Sequence, residues 1–204
     1  MEFKIENTQV FGLENAARAS GNPMRTEIQQ EYIEQDLARL GKLAQTGVGE
    51  GHDQALTGVI VQFDLYAPLY MWKQLQRYHF LDFISSQSTM HRLTKFNVAD
   101  NCVVDTDEVI LKRYQELLDE YAKMRSGGEY SVYSVPHEQA LWRKLVASLP
   151  CGFVLGATMT TNYRQLKTIY HQRKNHKLKE WHDFCRWVEQ LPHSELITGG
   201  ERHE

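Results

Sequence analysis

Seven polar side chains between residues 74 and 92 have the types and spacing to bind a planar, anionic ligand such as a nucleotide. They are Gln74, Arg77, His79, Gln87, Thr89, His91 and Arg92. Arginine and histidine supply charge-assisted hydrogen-bond donors, and a glutamine amide offers a donor and an acceptor that match an imide edge. An amphipathic helix followed by a polar loop would carry the same residues, so a purely structural explanation stays open.

The spacing of these residues predicts two short polar faces. Gln74 and Arg77 are three positions apart and share a face on a helix. Gln87, Thr89 and His91 are two positions apart and share a face in an extended segment. Because the two faces come from consecutive elements, we expect them to converge on one ligand.

A second polar group follows in the segment 162–173. Asn162 stands at a predicted strand-to-helix junction and is suited to cap the helix. Arg164, Thr168 and Gln172 step by four positions along one helical face. Arg173 stands at the C-terminal end, where a cation interacts favourably with the helix dipole. A capped, solvated helix explains these residues as well as a ligand site does.

Metal and disulfide chemistry are not indicated. His171, His176 and His182 do not recur at three or four residues, and no HExxH motif is present. The three cysteines are far apart, and no pair has CxxC spacing. We therefore expect neither a metal site nor a disulfide framework.

Strand and helix signals place both polar groups after buried strands. The β-branched run Thr57–Leu65 predicts a strand, and Leu69–Tyr78 predicts the helix that follows it. Cys151–Thr161 predicts a second buried strand, which leads into a helix over Tyr163–Arg173. The other predicted elements are a strand over Phe3–Thr8, helices over Gly12–Ser20, Met24–Gln45, Asp105–Lys123, Pro136–Ser148 and Lys177–Gln190, and glycine-rich breaks at 47–51 and 126–128.

The composition is that of an ordinary globular protein. With 204 residues, 42% of them hydrophobic, the chain is expected to form one domain over 1–204 with a loose tail from about residue 194. The net charge of −3 gives no global basic field for nucleic acid. No apolar run approaches the roughly 20 residues that span a bilayer, and no signal-peptide pattern follows Met1, so we expect a cytoplasmic protein without membrane contact.

The order of these motifs resembles that of the flavin-dependent thymidylate synthases, also called thymidylate synthase complementing proteins. Their signature, RHRxxSxNExSxRY, is matched in part by Gln74–His79 and Ser86–Arg92, with an extra residue between the halves. The resemblance also includes, in the family's order, Ala16–Ser20, Val59–Pro68, Leu149–Pro150, Asn162–Leu166, Arg173 and Glu180-Trp181.

The chain departs from the family at several signature positions. Where the family has Arg-His-Arg, this sequence has Arg77-Tyr78-His79. A family Glu, Ser and Arg in the second half of the signature become Gln87, Thr89 and His91. Each replacement keeps a hydrogen-bonding side chain and lowers the fixed charge.

The resemblance implies an α+β fold, a small central sheet flanked by helices, in a homotetramer with active sites between subunits. It implies a flavoprotein methyltransferase of dTMP biosynthesis that binds FAD and dUMP, takes a one-carbon unit from methylenetetrahydrofolate and uses NADPH as reductant. The residues implied for dUMP are Gln74, Arg77, Gln87, Thr89, His91 and Arg173. Those implied near FAD are Arg77, His79, Asn162, Arg164 and Thr168.

No protein nucleophile is required for such a reaction, and none stands out in the sequence. Two alternatives remain open. A divergent homologue would act on another pyrimidine nucleotide or with altered chemistry. A non-enzymatic nucleotide- or nucleic-acid-binding protein would use the basic run Arg173–Lys179, although no stacking aromatics are interleaved with its charges.

Overall fold

The computed structural model of the chain describes residues 1–47, 50–126 and 135–199. The strands are β1 (Lys4–Phe11), β2 (Ile60–Pro68), β3 (Asp82–Ser86) and β4 (Val154–Asn162). The helices are α1 (Leu13–Ala19), α2 (Glu34–Ala44), α3 (Leu69–Leu75), α4 (Thr89–Arg92), α5 (Val98–Asn101), α6 (Glu108–Arg125), α7 (Val135–Ala147), α8 (Tyr163–Arg173), α9 (Lys179–Glu189) and α10 (Glu195–Thr198). Short 3₁₀ turns occupy Asn22–Met24, Gln54–Gly58 and Leu93–Lys95.

The strands among the described residues form one antiparallel sheet in the order β1-β2-β4-β3. The predicted α+β class is therefore confirmed. Strand β2 alternates as its sequence predicts, because Val61, Phe63 and Leu65 are buried while the residues between them are half-buried. Strand β3 lies at an edge with all of its residues exposed, and its short, unalternating sequence gave no strand signal.

Contacts group the chain into two compact units. The helical unit comprises Met1–Phe3, Tyr66–Lys73 and Ser86–Gly156, and the sheet unit comprises Lys4–Leu65, Gln74–Ser85 and the described residues from Ala157 on. The single domain predicted for residues 1–204 stays a prediction.

The helical unit has its own apolar core, to which α6 and α7 contribute. Helix α6 begins after Asp107, whose carboxylate accepts hydrogen bonds from Val109 N at 2.7 Å and Ile110 N at 3.4 Å. The hydroxyl of Tyr114 on α6 donates to the backbone oxygen of Leu145 on α7 at 2.9 Å, in the interior. The buried core residues of this unit are Leu93, Val98, Cys102, Tyr114, Leu117, Tyr121, Met124, Leu141, Leu145 and Phe153.

The core of the sheet unit is built on aromatic side chains from β2 and α9. The rings of Phe63 and Trp187 have centroids 4.5 Å apart, and Trp181 and Phe184 pack edge to face at 5.6 Å. Both Trp181 and Phe184 are fully buried. These rings lie on one face of α9, and their packing fixes the rotation of the helix about its own axis. That rotation determines which side chains of α9 face the polar groups described below.

The long helix predicted over Met24–Gln45 is wrong in its first half. The chain makes a 3₁₀ turn at Asn22–Met24, continues irregularly, and becomes helical only over Glu34–Ala44. A buried carboxylate explains this start, because Asp36 accepts a hydrogen bond from Ile33 N at 3.0 Å and so caps the helix there.

The carboxylate of Asp36 also holds the irregular segment before α2 in place. Asp36 accepts from Gln29 Nε2 at 2.9 Å and forms ion pairs with Arg25 and Arg39. Burial raises the pKa of Asp36, but the hydrogen bond from Ile33 and the guanidinium of Arg39 outweigh it and lower the pKa to about 2. The hydrogen bonds and positive charges around Asp36 therefore favour its ionised carboxylate.

The predicted loose tail is also corrected in its described part. Residues Glu195–Thr198 form the helical turn α10, in which Leu196 and Ile197 are buried. Residues 200–204, Val48 and Gly49 of the first predicted glycine break, and Gly127 and Gly128 of the second, lie outside the described residues.

Three further findings concern membranes, metals and cysteines. Among the helices of the described ranges, none is both long and apolar enough to cross a membrane. Within the same ranges, no group of three or more His, Cys, Asp or Glu side chains is arranged to hold a metal ion. All three cysteines are free thiols, with Cys102 and Cys185 buried and Cys151 exposed.

We predict that Tyr114→Phe destabilises the protein by about 1–2 kcal/mol, because the buried backbone oxygen of Leu145 loses its hydroxyl donor. Urea denaturation measures this as a lower midpoint with an unchanged slope. An unchanged midpoint would mean that the hydroxyl makes no net contribution to the packing of α6 on α7.

Candidate functional site

The junction between β4 and α8 sets the position of the second polar group. Asn162 ends β4, is buried, and its Oδ1 accepts a hydrogen bond from Gln165 N at 2.9 Å. Asn162 is therefore the helix cap that the sequence predicted. The next residue, Tyr163, donates its backbone N–H to Val59 O at 3.0 Å, which fixes the start of α8 beside the turn Gln54–Gly58.

An ion cluster lies inside the first turns of α8. Asp53 is only 5% exposed, and its two carboxylate oxygens accept from Arg164 Nε and from Lys167 Nζ, each at 3.0 Å. The Lys167 ammonium is buried as well and donates to the backbone oxygens of Ala44 at 2.7 Å and Thr46 at 3.1 Å. All three ammonium donors thus have an oxygen partner.

Sequence reasoning missed Asp53 and Lys167. One signal was present, because Lys167 falls on the same helical face as Tyr163, Leu166 and Tyr170, the apolar side of α8. A lysine on an apolar face requires a buried partner, but nothing in the sequence identified that partner as Asp53.

The neighbouring charges keep Asp53 ionised. Burial raises the pKa of Asp53, but the hydrogen bonds and positive charges of Lys167 and Arg164 outweigh burial and hold the pKa below its ordinary value. Arg164 uses only Nε in this pair, so its terminal nitrogens are left to bind an external acceptor.

A cavity of about 480 Å³ opens beside this cluster. Its lining includes Asn162, Arg164 and Thr168, three polar residues that the resemblance implied near FAD, and the apolar residues Ile60 and Phe80. Donors at a helix N-terminus bind anions, and the apolar residues suit a ring. The full set of lining residues is Asp53, Gln54, Thr57, Ile60, Phe80, Asn162, Arg164, Gln165, Lys167 and Thr168.

Phe80 has an unusual backbone conformation at this cavity. Its φ of 60° lies in the left-handed region, which bulky residues rarely adopt, and its side chain is 68% exposed. Thr161 donates its hydroxyl to Phe80 O at 2.7 Å and holds the backbone in place. An exposed phenylalanine fixed in a strained conformation is typical of a ligand-binding position.

Gln74 and Arg173, both implied for dUMP, are brought together by aromatic residues. Arg173 Nε donates to the hydroxyl of Tyr78 at 2.6 Å, and its guanidinium lies 4.7 Å from the ring centroid of Trp181. The indole nitrogen of Trp181 donates to Gln74 Oε1 at 3.0 Å. These four residues, Gln74, Tyr78, Arg173 and Trp181, are called the arginine cage below.

Arg77 and His79 stand beside this cage and are exposed. Among the described residues, no hydrogen bond or ion pair engages either side chain; the backbone N–H of Arg77 donates to Gln74 O at 3.3 Å in a turn. Both side chains are therefore available to a ligand.

The remaining predicted residues lie in the helical unit. Gln87 pairs twice with β4, because its backbone N–H donates to Gly156 O at 2.9 Å and its Oε1 accepts from Gly156 N at 2.8 Å. A Cβ at Gly156 would lie 2.7 Å from the ring of Tyr66 and 3.3 Å from Gln87 Oε1. Glycine at position 156 therefore allows the close approach that holds Gln87.

The extended segment predicted over Gln87, Thr89 and His91 is wrong. Residues Thr89–Arg92 form the helical turn α4, because Ser88 Oγ accepts a hydrogen bond from His91 N at 3.3 Å and caps the turn. The alternation of side chains that would place the three residues on one face does not hold in a helical turn.

His91 lines a wide cleft of about 1290 Å³ within the helical unit. Lys95 and Arg143 line the same cleft, and no hydrogen bond or ion pair engages their side chains among the described residues. Its aromatic wall has Tyr121 and Trp142, whose ring centroids are 5.6 Å apart. The lining residues are Met90, His91, Thr94, Lys95, Phe96, Asn97, Gln115, Leu118, Asp119, Tyr121, Ala122, Arg125, Glu138, Gln139, Trp142 and Arg143.

The residues predicted for ligand binding are thus divided between the two units. The helical unit has Gln87, Thr89 and His91. The sheet unit has Gln74, Arg77, His79, Asn162, Arg164, Thr168 and Arg173. Within the sheet unit, Asn162, Arg164 and Thr168 share one cavity, whereas Gln74 and Arg173 share the arginine cage.

An α+β chain with this antiparallel sheet and these polar groups has the fold of the flavin-dependent thymidylate synthases called ThyX. One solved structure with this fold is Helicobacter pylori ThyX complexed with FAD and dUMP, which matches with a TM-score of 0.68 and 16% sequence identity over 98% of this chain and 99% of that chain. A second structure of Helicobacter pylori ThyX with FAD and dUMP gives a TM-score of 0.69 and 16% identity over 100% of both chains. No family model and no curated protein matches this sequence.

We predict that Asp53→Asn lowers the free energy of unfolding at pH 7 by roughly 3 kcal/mol, because it leaves the buried Lys167 ammonium without its anionic partner. The pKa of Asp53 is lowered in the folded state, so its carboxylate contributes fully above the unfolded value of about 3.9 and its contribution is lost as the pH falls through the folded value. The difference between the variant and the wild type should therefore shrink at acid pH.

Urea denaturation between pH 7 and pH 3 measures this difference. The control is Glu6→Gln, which removes an exposed ion pair with Lys4 and should change stability by less than about 0.5 kcal/mol. A difference for Asp53→Asn that stays constant down to pH 3 would contradict the assigned ionisation.

Proposed function

We propose that this protein is a flavin-dependent thymidylate synthase, which transfers a one-carbon unit from methylenetetrahydrofolate to C5 of dUMP with FAD as cofactor and NADPH as reductant. The observation that carries the proposal is the cavity at the start of α8, whose lining combines the polar residues Asn162, Arg164 and Thr168 with the apolar residues Ile60 and Phe80. The ThyX fold over the whole chain, in neighbours whose structures contain FAD and dUMP, supports it.

The residues at this cavity fit part of a flavin nucleotide. Arg164 offers its terminal nitrogens to a phosphate, because Asp53 accepts only from Nε. Asn162 and Thr168 add hydrogen-bonding groups, and Phe80 presents an exposed ring for stacking. In this proposal Arg77, His79, Asn162, Arg164 and Thr168 hold the FAD, and the bound flavin supplies the hydride.

The chain's own residues would then orient the nucleotide and place charge around it. We assign dUMP to Gln74, Arg77, Gln87, Thr89, His91 and Arg173. No protein nucleophile is needed, because holding the pyrimidine at a fixed distance from a bound reductant lowers the entropic part of the barrier. Donors aimed at the nucleotide stabilise the charge that develops on it.

The two glutamines favour a ligand rich in acceptors. The indole N–H of Trp181 and the backbone N–H of Gly156 can only donate, so the amide oxygens of Gln74 and Gln87 must face them. The amide nitrogens of both glutamines are left to donate to a ligand. A carbonyl oxygen of uracil can accept from such an amide nitrogen, whereas the amino group that replaces one of these carbonyls in cytosine cannot, so either glutamine by itself favours uridylate over cytidylate.

The nucleic-acid alternative is less well supported. Its basic run begins at Arg173, whose guanidinium packs on Trp181 and donates to Tyr78 inside the arginine cage.

We further propose that the protein is a homotetramer in the cytoplasm, with its sites formed between subunits.

The flavin part of the proposal predicts that purified protein takes up FAD and shows its visible absorbance. Arg77→Ala should weaken FAD binding by about 1.5–3 kcal/mol, the range for a hydrogen bond to a charged group. Because no ion pair or side-chain hydrogen bond engages Arg77 among the described residues, the variant should keep the wild-type melting temperature. The loss of affinity therefore isolates the ligand contact.

The control for this experiment is Arg113→Ala, which removes an exposed arginine paired with Glu116 in the helical unit. Titration of FAD into both variants, followed by absorbance, compares them directly. A wild-type protein that takes up no FAD would overturn the proposed function, and equal affinities in the two variants would remove Arg77 from the flavin site.

The nucleotide part predicts opposite effects of two substitutions at His91. His91→Arg should bind dUMP more tightly than the wild type at pH 7, because a guanidinium is permanently charged and can pair with phosphate in bidentate fashion. His91→Gln should bind it less tightly. Calorimetric titration measures both, with Arg92→Gln as the control, because Arg92 belongs to the same turn but does not line the cleft.

Equal dUMP affinities in the wild type, His91→Arg and His91→Gln would show that His91 does not contact the nucleotide. Repeating the titration with dCMP tests the acceptor argument, since tighter binding of dCMP than dUMP would favour another pyrimidine nucleotide as substrate.

A further inference from the structure

We propose that Tyr78 and Trp181 are positioning residues that fix the guanidinium of Arg173, so that it meets an anionic ligand only through its two terminal nitrogens. The inference rests on the proposed function, in which Arg173 binds the nucleotide. Tyr78 occupies the middle of the Arg77-Tyr78-His79 segment, and Trp181 is a fully buried residue in the first turn of α9.

The first element of this arrangement is a directed chain of hydrogen bonds. Arg173 Nε can only donate, and it donates to the Tyr78 hydroxyl at 2.6 Å. The hydroxyl proton of Tyr78 is then directed to Gln172 Oε1 at 3.1 Å. Each bond fixes the direction of the next, and such a chain holds its members more firmly than isolated bonds do.

The second element is the aromatic surface under the guanidinium. Arg173 lies 4.7 Å from the ring centroid of Trp181 and 5.5 Å from that of Tyr78, within the range of cation–π attraction. Trp181 cannot turn away, because its ring is fully buried, packs edge to face on Phe184 at 5.6 Å, and donates its N–H to Gln74 at 3.0 Å.

These contacts determine which edge of the guanidinium is available. A guanidinium can bind two oxygens side by side either through Nε and one terminal nitrogen or through both terminal nitrogens. The Tyr78 hydroxyl occupies Nε, so the end-on edge is left. That edge matches a group with two oxygens in one plane, such as phosphate or carboxylate.

The cage also preserves the charge of Arg173. Among the described residues, its side chain contacts a hydroxyl and two aromatic rings, none of which carries a negative charge. Arg164, on the same helix, instead shares its charge with the carboxylate of Asp53. Arg173 therefore offers a full positive charge in a fixed orientation, which reduces the entropy lost when an anion binds.

The test is Tyr78→Phe, which keeps the ring and removes the acceptor for Nε. The matched control is Tyr170→Phe, which removes a hydroxyl hydrogen bond to Glu189 at 2.8 Å in the same unit without touching Arg173. Calorimetry with dUMP should show about fivefold weaker binding for Tyr78→Phe, the factor that one net hydrogen bond contributes. Tyr170→Phe should bind as the wild type does, and both variants should melt close to it.

A second measurement needs no ligand. In ¹⁵N–¹H spectra, the Nε–H signal of Arg173, assigned by its absence in Arg173→Lys, should exchange slowly with water in the wild type and in Tyr170→Phe. It should exchange quickly in Tyr78→Phe. Trp181→Phe, which keeps a ring but loses the bond to Gln74, should give an intermediate exchange rate.

The outcomes separate the two proposals. If the wild type binds dUMP and Tyr78→Phe binds it equally well, the positioning role is overturned and the proposed function stands. If the wild type binds no dUMP, the proposed function is overturned, and the exchange measurement still decides whether Tyr78 holds Arg173. Equal exchange rates in the wild type and Tyr78→Phe overturn the positioning role whatever the ligand.

Discussion

The capped junction between β4 and α8 is the constraint on which the rest of the sheet unit depends. Asn162 stops the strand and starts the helix by accepting from Gln165 N. Once that start is fixed, the helical repeat places Arg164 and Thr168 at one cavity, Lys167 in the interior, and Arg173 at the far end against the rings of Tyr78 and Trp181. A shift of one residue in the cap would rotate all of these side chains by about 100°.

Two arginines on this helix show how the surroundings decide what a cation can do. Arg164 is paired with a carboxylate that a buried lysine keeps ionised, so its orientation is secured while part of its charge is balanced. Arg173 is oriented by a hydroxyl and aromatic rings, and no ion pair within the described ranges balances its charge. In the proposed function, the first arginine meets the cofactor and the second meets the nucleotide.

Local signals in the sequence predicted the elements that surround these groups. The β-branched run before Pro68, the strand that ends at Asn162 and the helix that follows it are all present, and Asn162 has the capping role expected of it. The predictions that were wrong also concern local signals. Helical spacing of apolar residues extended the predicted α2 back to Met24, because periodicity does not show that a buried Asp36 caps the helix at Ile33. Alternating polar residues indicated an extended segment at residues 87–91, where the Ser88 cap instead makes a helical turn.

Local patterns predicted the strand-to-helix junctions and the residue types able to bind an anionic nucleotide, because these depend on neighbours a few positions away, and the family resemblance implied the α+β class. How those residues are held follows from the tertiary structure alone. Asp53 and Lys167 are 114 positions apart, and Tyr78 and Arg173 are 95 positions apart. A single sequence contains no information about which distant residue is the partner, because the pairing follows from the packing of whole elements, and charge, hydrogen bonding and burial are fixed only when those elements meet.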